Sequence, residues 1–234
     1  MRDQYAGDIS DYLKFSFLRS ALPKESRLGV AWYFLPGHDG RADGRHEEYL
    51  QQQAWRGLDP DLFDLLGRRS HRSVAELEKI GVLPRSTLFH RVPVPGRRER
   101  VSWHEDMIRS LALCDVVFAD PDNGVSRPGV VSRKSAVVDE VRDLCKEGRT
   151  AFLIRFPHRL TSHDDQLADQ HRTFAEYAPL TLRTCVRVPN GNGTTSPRIR
   201  WFSALNPRTE TRGAIADFAA RLQAVPGATV RVEG

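Results

Sequence analysis

The chain has 234 residues, with 35 Lys and Arg against 30 Asp and Glu, a formal net charge of +5. That length suits one ordinary domain over 1–234 with an ample core; the 40% hydrophobic and 28% charged content excludes a disordered or fibrous chain, and no apolar run approaches the roughly 18 residues of a membrane span. Cys114, Cys145 and Cys185 lie far apart without ligand spacing, which excludes a zinc ribbon or disulfide framework and fits reduced thiols in a cytoplasm, and the opening MRDQYAGDISDYLKF lacks the apolar stretch of a signal peptide.

Asp8 or Ser10 is placed to cap a first helix, in which Leu13, Phe17, Leu18, Ala21 and Leu22 share a face. Pro23 and Ser26 close it, and LGVAWYFL (28–35) reads as a buried strand. PGHDGRADG (36–44) is a Gly-rich loop, followed by a helix from about His46. Asp59-Pro60 opens another helix. SVAELEKIGVLP (73–84) carries Ser73 and, three residues on, Glu76, the pattern of a capping box. TLFHRVPV (87–94) is read as a strand and PGRRER (95–100) as a basic turn.

In the second half, a helix over about 102–113 precedes the apolar strand DVVFAD (115–120) and the loop PDNGVSRPG. A helix near 135–147 leads to the strand AFLIRF (151–156), and 163–177 reads as helical. LTLRTCVRV (180–188) and RIRWFSALN (198–206) form a long hairpin across PNGNGTTSP. A helix over about 210–224 and the strand ATVRV end the chain. This order implies an α/β three-layer sandwich with a mainly parallel sheet and a C-terminal antiparallel β-hairpin.

Ligands of such sheets bind beyond the C-terminal strand ends, at the topological switch point. Two loops stand there. The first carries His38, Asp39, Asp43 and His46 within nine positions, a donor set that suits Mg²⁺ or Mn²⁺. It matches neither a dinucleotide fingerprint nor a P-loop, and no G-x-S-x-G elbow occurs anywhere. The second is Asp120-Pro121-Asp122-Asn123-Gly124. A carboxylate at a buried strand tip must be held by hydrogen bonds or a ligand, and Pro121 and Gly124 fix where Asp120 and Asn123 point. Only five of the 35 basic residues are Lys; Arg suits phosphate through its planar fork. Arg97, Arg98 and Arg100 offer a phosphate-binding turn for a nucleic-acid partner.

Tyr5-Ala6-Gly7-Asp8-Ile9-Ser10-Asp11-Tyr12-Leu13-Lys14-Phe15 resembles the opening H-A-G-N-H-A-D-V-L-K-H of the RlmJ-like methyltransferases, with Ala6, Gly7, Asp11, Leu13 and Lys14 matching without gaps. In the same register Leu35, His38 and Gly40 fall on that family's L-D-T-H-A-G-A-G, and Asp120-Pro121-Asp122-Asn123 stands where amino-methyltransferases carry D-P-P-Y. The resemblance implies a Rossmann-like methyltransferase fold, S-adenosylmethionine (SAM) as cofactor and a nucleic acid or nucleotide as substrate. It places His38, Gly40, Lys14, Asp11 and Pro121 at the cofactor and Asp120, Asp122 and Asn123 at the reacting group. Phe15, Pro36 and Ala42 depart from the pattern, and Asn123 has no ring to stack on a base. Two alternatives stand beside it. Asp39, Asp43, Asp120 and Asp122, with His38 or His46, could bind a divalent ion for phosphodiester or nucleotide hydrolysis, or the fold could serve as a non-catalytic nucleic-acid-binding subunit.

Overall fold

The computed structural model describes residues 1–37, 40, 46–156, 160–178, 182–188, 200–225 and 231–233, with 182–188, 200 and 231–233 described as backbone. Helix α1 (Ile9–Ala21) is capped by the Asp8 side chain, which accepts from the backbone N–H of Ser10 and Asp11. Strand β1 (Leu28–Trp32) follows. In place of the helix expected near His46, the chain forms a 3₁₀ turn, Glu48–Gln51, and the single-turn α2 (Gln53–Arg56). Helix α3 (Pro60–Gly67) starts on the Asp59 cap with proline in its first turn, where a missing N–H costs nothing.

Helix α4 (Val74–Ile80) is capped by Ser73, whose Oγ accepts from Glu76 N at 3.0 Å. The Glu76 carboxylate instead accepts from Ser70 Oγ at 2.8 Å, so only half of the capping box forms. Strand β2 is just Leu88–His90, because Pro93 and Pro95 beyond it offer no N–H to a ladder. Helix α5 (Arg100–Ser110) leads to β3 (Val116–Asp120). Two short parallel strands not foreseen in the sequence, β4 (Val125–Ser126) and β5 (Ala136–Val137), pair across the next loop. Then come α6 (Val138–Leu144), β6 (Thr150–Arg155), α7 (His163–Tyr177), β7 (Leu182–Val188), β8 (Arg200–Leu205), α8 (Thr209–Gln223) and β9 (Arg231–Glu233).

The main sheet runs β2-β1-β3-β6-β8-β7-β9. Its first four strands are mutually parallel, and β8, β7 and β9 add antiparallel pairings. The C-terminal β7–β8 hairpin read from the sequence is present. Alternation along the strands divides two cores. Val30, Trp32, Phe118, Phe152 and Ile154 face α1, α3, α4 and α8; Ala31, Val117, Ala119, Ala151 and Leu153 face α5, α6 and α7. This is the three-layer arrangement expected of buried parallel strands. Phe17 of α1 joins the layers on the first face, stacking on Phe202 at 4.7 Å and meeting Phe152 and Phe218 edge-on.

The chain leaves β1 for β2 on one side and returns to β3 on the other, so the switch point lies between the C-terminal ends of β1 and β3. Trp32 and Asp120 are register partners there.

Candidate functional site

Asp120 shares a strand face with Val116 and Phe118, so it points beneath α1. Lys14 meets it there. Nζ of Lys14 donates to Asp120 Oδ2 at 2.9 Å and to Asp11 Oδ1 at 2.8 Å, and all three side chains are at most 4% exposed. The other Asp11 oxygen accepts from Gly7 N at 2.9 Å. Gly7 has φ +78°, a backbone conformation that favours glycine, and a Cβ there would also crowd Arg69 Nε at 2.7 Å. Arg69 is held in turn by Glu47 and by the Leu66 carbonyl.

The Lys14 ammonium also lies 5.5 Å from the Trp32 ring centre and 6.0 Å from that of Phe118, a cation among aromatic faces. Burial alone would lower its pKa, but Asp11 and Asp120 outweigh burial and hold it well above the ordinary lysine range. Burial raises the Asp11 pKa, with Lys14 pulling it down and Asp8 and Asp120 pushing it further up. The cluster is a nearly buried knot of one cation and two carboxylates. Asp120 Oδ1 has no hydrogen-bond partner among the described residues.

The loop after β3 turns at Pro121, which is buried, and at Gly124, with φ +72°. Asn123 is exposed, and its N–H donates to the Lys134 carbonyl at 2.8 Å. Asp122 is half-buried; its Oδ1 accepts from the amino group of Met1 at 2.9 Å, which also donates to the Tyr33 carbonyl at 2.8 Å. The Met1 carbonyl accepts from Leu35 N, so Met1 bridges the segments that follow β1 and β3.

The three arginines of the basic turn part company. Arg97 and Arg98 are exposed, but Arg100 is 4% exposed and committed inward. It donates to both Glu140 oxygens at 2.5 and 2.8 Å and to the Ser135 carbonyl at 2.9 Å, with its guanidinium 4.7 Å from the Trp103 ring centre. Glu140 accepts from Tyr33 Oη and Val137 N as well. The expectation that Arg100 meets phosphate is therefore corrected: its donors are spent inside the protein.

His38, Asp39 and Asp43 lie outside the described residues. His46 is half-buried; its carbonyl accepts from Ile9 N, and its Nε2 is buried without a partner among the described residues. Among the described residues no group of three or more His, Cys, Asp or Glu side chains could hold a metal ion. Nor, among them, is any helix long and apolar enough to cross a membrane.

Sequence reasoning singled out Asp11, Lys14 and Asp120 without anticipating that they touch, and it missed Tyr33, Glu140 and Met1. Glu140 had one signal, its place three residues after a helix-start position, where a carboxylate reaches back to a free N–H.

No family model matches the chain, and no curated protein matches it. Among solved structures it is similar to the crystal structure of protein LPL1258 from Legionella pneumophila str. Philadelphia 1, described under the family model DUF519. The TM-score is 0.53 at 10% identity, covering 98% of each chain. A likeness at that identity is one of fold, and the chain has the α/β fold its strand order describes.

Proposed function

We propose that this chain is a divergent SAM-dependent methyltransferase-like protein acting on a nucleic acid or nucleotide, with Asp120 at the reacting group. The observation that carries the reading is the Lys14–Asp120 ion pair at 2.9 Å. It joins two segments 106 residues apart in sequence, the two whose residues resemble methyltransferase motifs, at the switch point where such sheets bind ligands.

The residues present suit the cofactor on one observation. After β1 the backbone turns through Gly37 and Gly40, at φ +84° and +74°, with no described heavy atom within 4 Å of where a Cβ would stand. Positive φ at both positions suits glycine, and these two glycines with His38 and Pro121 would hold SAM as the resemblance implies. When bound, SAM supplies an electrophilic methyl group.

The protein's part is positioning. Lys14 locks Asp120 through Oδ2, which leaves Oδ1 to accept a hydrogen bond from the nucleophile's N–H or O–H and align it for in-line attack. Asn123, exposed three residues after Asp120 and fixed by its N–H on the Lys134 carbonyl, would offer its side-chain amide to the substrate. Asp11 acts only through Lys14. A divalent-ion reading has less support: Asp120 already faces a cation, Lys14.

Transfer of a labelled methyl group from SAM to total RNA or to nucleotides tests the reading. Wild-type protein is expected to label one of these pools, and Asp120→Asn to lose that labelling while remaining folded. Equal labelling by the two proteins would exclude Asp120 from the chemistry.

A further inference from the structure

Two segments follow the C-terminal ends of β2 and β3, residues 91–100 after β2 and residues 127–135 between β4 and β5. Together they contain seven cations and one carboxylate, Glu99. Arg91, Arg100 and Arg127 are matched by Glu78, Glu140 and Asp169. Arg97, Arg98, Arg133 and Lys134 form no ion pair among the described residues. Like cations without partners on adjoining loops repel one another, so a fold that keeps them together holds them there by other bonds.

Those bonds are visible. Arg133 Nε donates to the Val94 carbonyl at 2.9 Å, pinning that exposed guanidinium onto the segment leading to Arg97 and Arg98. Arg100 Nη2 donates to the Ser135 carbonyl and Nη1 reaches the Ser132 carbonyl, at 2.9 and 3.4 Å, on either side of Arg133 and Lys134. The Lys134 carbonyl accepts from Asn123 N, which ties the rim to the loop that Asp120 begins. One buried arginine anchors the turn whose two neighbours face solvent.

We propose that Arg97, Arg98, Arg133 and Lys134 form one rim that binds the phosphodiester backbone of a nucleic acid, assembled by the buried Arg100–Glu140 pair. The large hydrophobics exposed among the described residues are Val92, Val101, Leu113, Val130 and Leu160, none of them aromatic. The rim offers charge and no stacking platform, so it holds the backbone without reading sequence. This deepens the methyltransferase reading by making the partner a polymer rather than a free nucleotide, although binding itself does not require that reading.

The test is fluorescence anisotropy of labelled 20-nucleotide RNA and DNA of mixed sequence, with salt varied from 50 to 200 mM. Four neutralised phosphates on a single strand give a log–log salt slope of about −3, or roughly fifty-fold weaker binding across that range. Arg97→Glu with Arg98→Glu, and separately Arg133→Glu with Lys134→Glu, are expected to weaken binding by about tenfold or more and to bring the slope to about half. Lys24→Glu with Arg85→Glu, at the opposite end of the strands, should leave it unchanged. Nucleic-acid binding that survives both rim variants, or that the Lys24/Arg85 control weakens equally, overturns the proposal. So does stronger rim-dependent binding to an acidic peptide or to anionic vesicles than to nucleic acid. Rim-dependent RNA binding by a protein that binds no SAM would keep the rim and remove the methyltransferase reading; SAM binding without RNA binding would do the reverse.

Discussion

Lys14→Met is the most informative single perturbation of the site. The methionine keeps an apolar stem as far as Cε and removes the ammonium. Two carboxylates, Asp11 and Asp120, lose a partner at 2.8 and 2.9 Å while staying at most 4% exposed. Removing one member of a buried ion pair costs about 3–5 kcal/mol, because the remaining charge is left uncompensated. Two stranded carboxylates place Lys14→Met at the upper end of that range. Asp120→Asn is milder, about 1–3 kcal/mol, since Lys14 keeps Asp11 and the amide still accepts its hydrogen bond. Urea denaturation at pH 7 reads both, as a fall in midpoint at unchanged m-value. The double variant should be more stable than the sum of the two losses implies, by about 0.5–3 kcal/mol. A Lys14→Met protein within about 1 kcal/mol of wild type, with native circular dichroism, would refute the claim that this ammonium neutralises the cluster.

Glu140→Gln leaves Arg100 buried without its carboxylate and should cost about 3 kcal/mol or more in the same assay; an unchanged midpoint would mean the backbone carbonyls suffice. Gly29→Ala places a Cβ 2.8 Å from Cys114 Sγ and 3.1 Å from Leu111 Cδ2, so overpacking should cost about 1–3 kcal/mol, whereas a stabilised protein would show that α5 yields easily. Burial pushes the Cys145 thiol up to about 12 from 9.0, partly countered by Arg149. The folded chain thus binds this proton more tightly than the unfolded chain, and the stability it gives below pH 9 is lost as pH rises towards 12. Cys145→Ala should flatten that alkaline limb, and native alkylation at pH 8 should spare Cys145; rapid native labelling at this position would contradict its burial.

Much of the architecture was legible because buried parallel strands write themselves as short apolar runs. Leu28–Trp32, Val116–Asp120 and Thr150–Arg155 all stand where such runs placed them. The failures share a cause, which is that local pattern does not report long-range packing. The helix expected near His46 gives way to a 3₁₀ turn, where Tyr49 stacks on Tyr12 at 5.0 Å and donates to the Gly7 carbonyl. Arg100 looks like its neighbours in PGRRER, yet it alone of the three arginines meets Glu140, forty residues on. Asp11 and Lys14 could be singled out only through resemblance. Nothing in a helix sequence says that a lysine three residues after an aspartate reaches a strand tip 106 residues away. The strand-end position of Asp120 was visible from the apolar run before it; that its Oδ2 turns beneath α1 to meet Lys14 was not.

The most direct measurement is a calorimetric titration of the purified protein with SAM, and separately with Mg²⁺ and Mn²⁺, repeated for His38→Ala and Asp120→Asn. Saturable SAM binding in the micromolar range, weakened in His38→Ala and kept in Asp120→Asn, is the expected result. Saturable Mg²⁺ or Mn²⁺ binding lost in Asp120→Asn, with no heat from SAM, would contradict it and move Asp120 to metal-dependent hydrolysis.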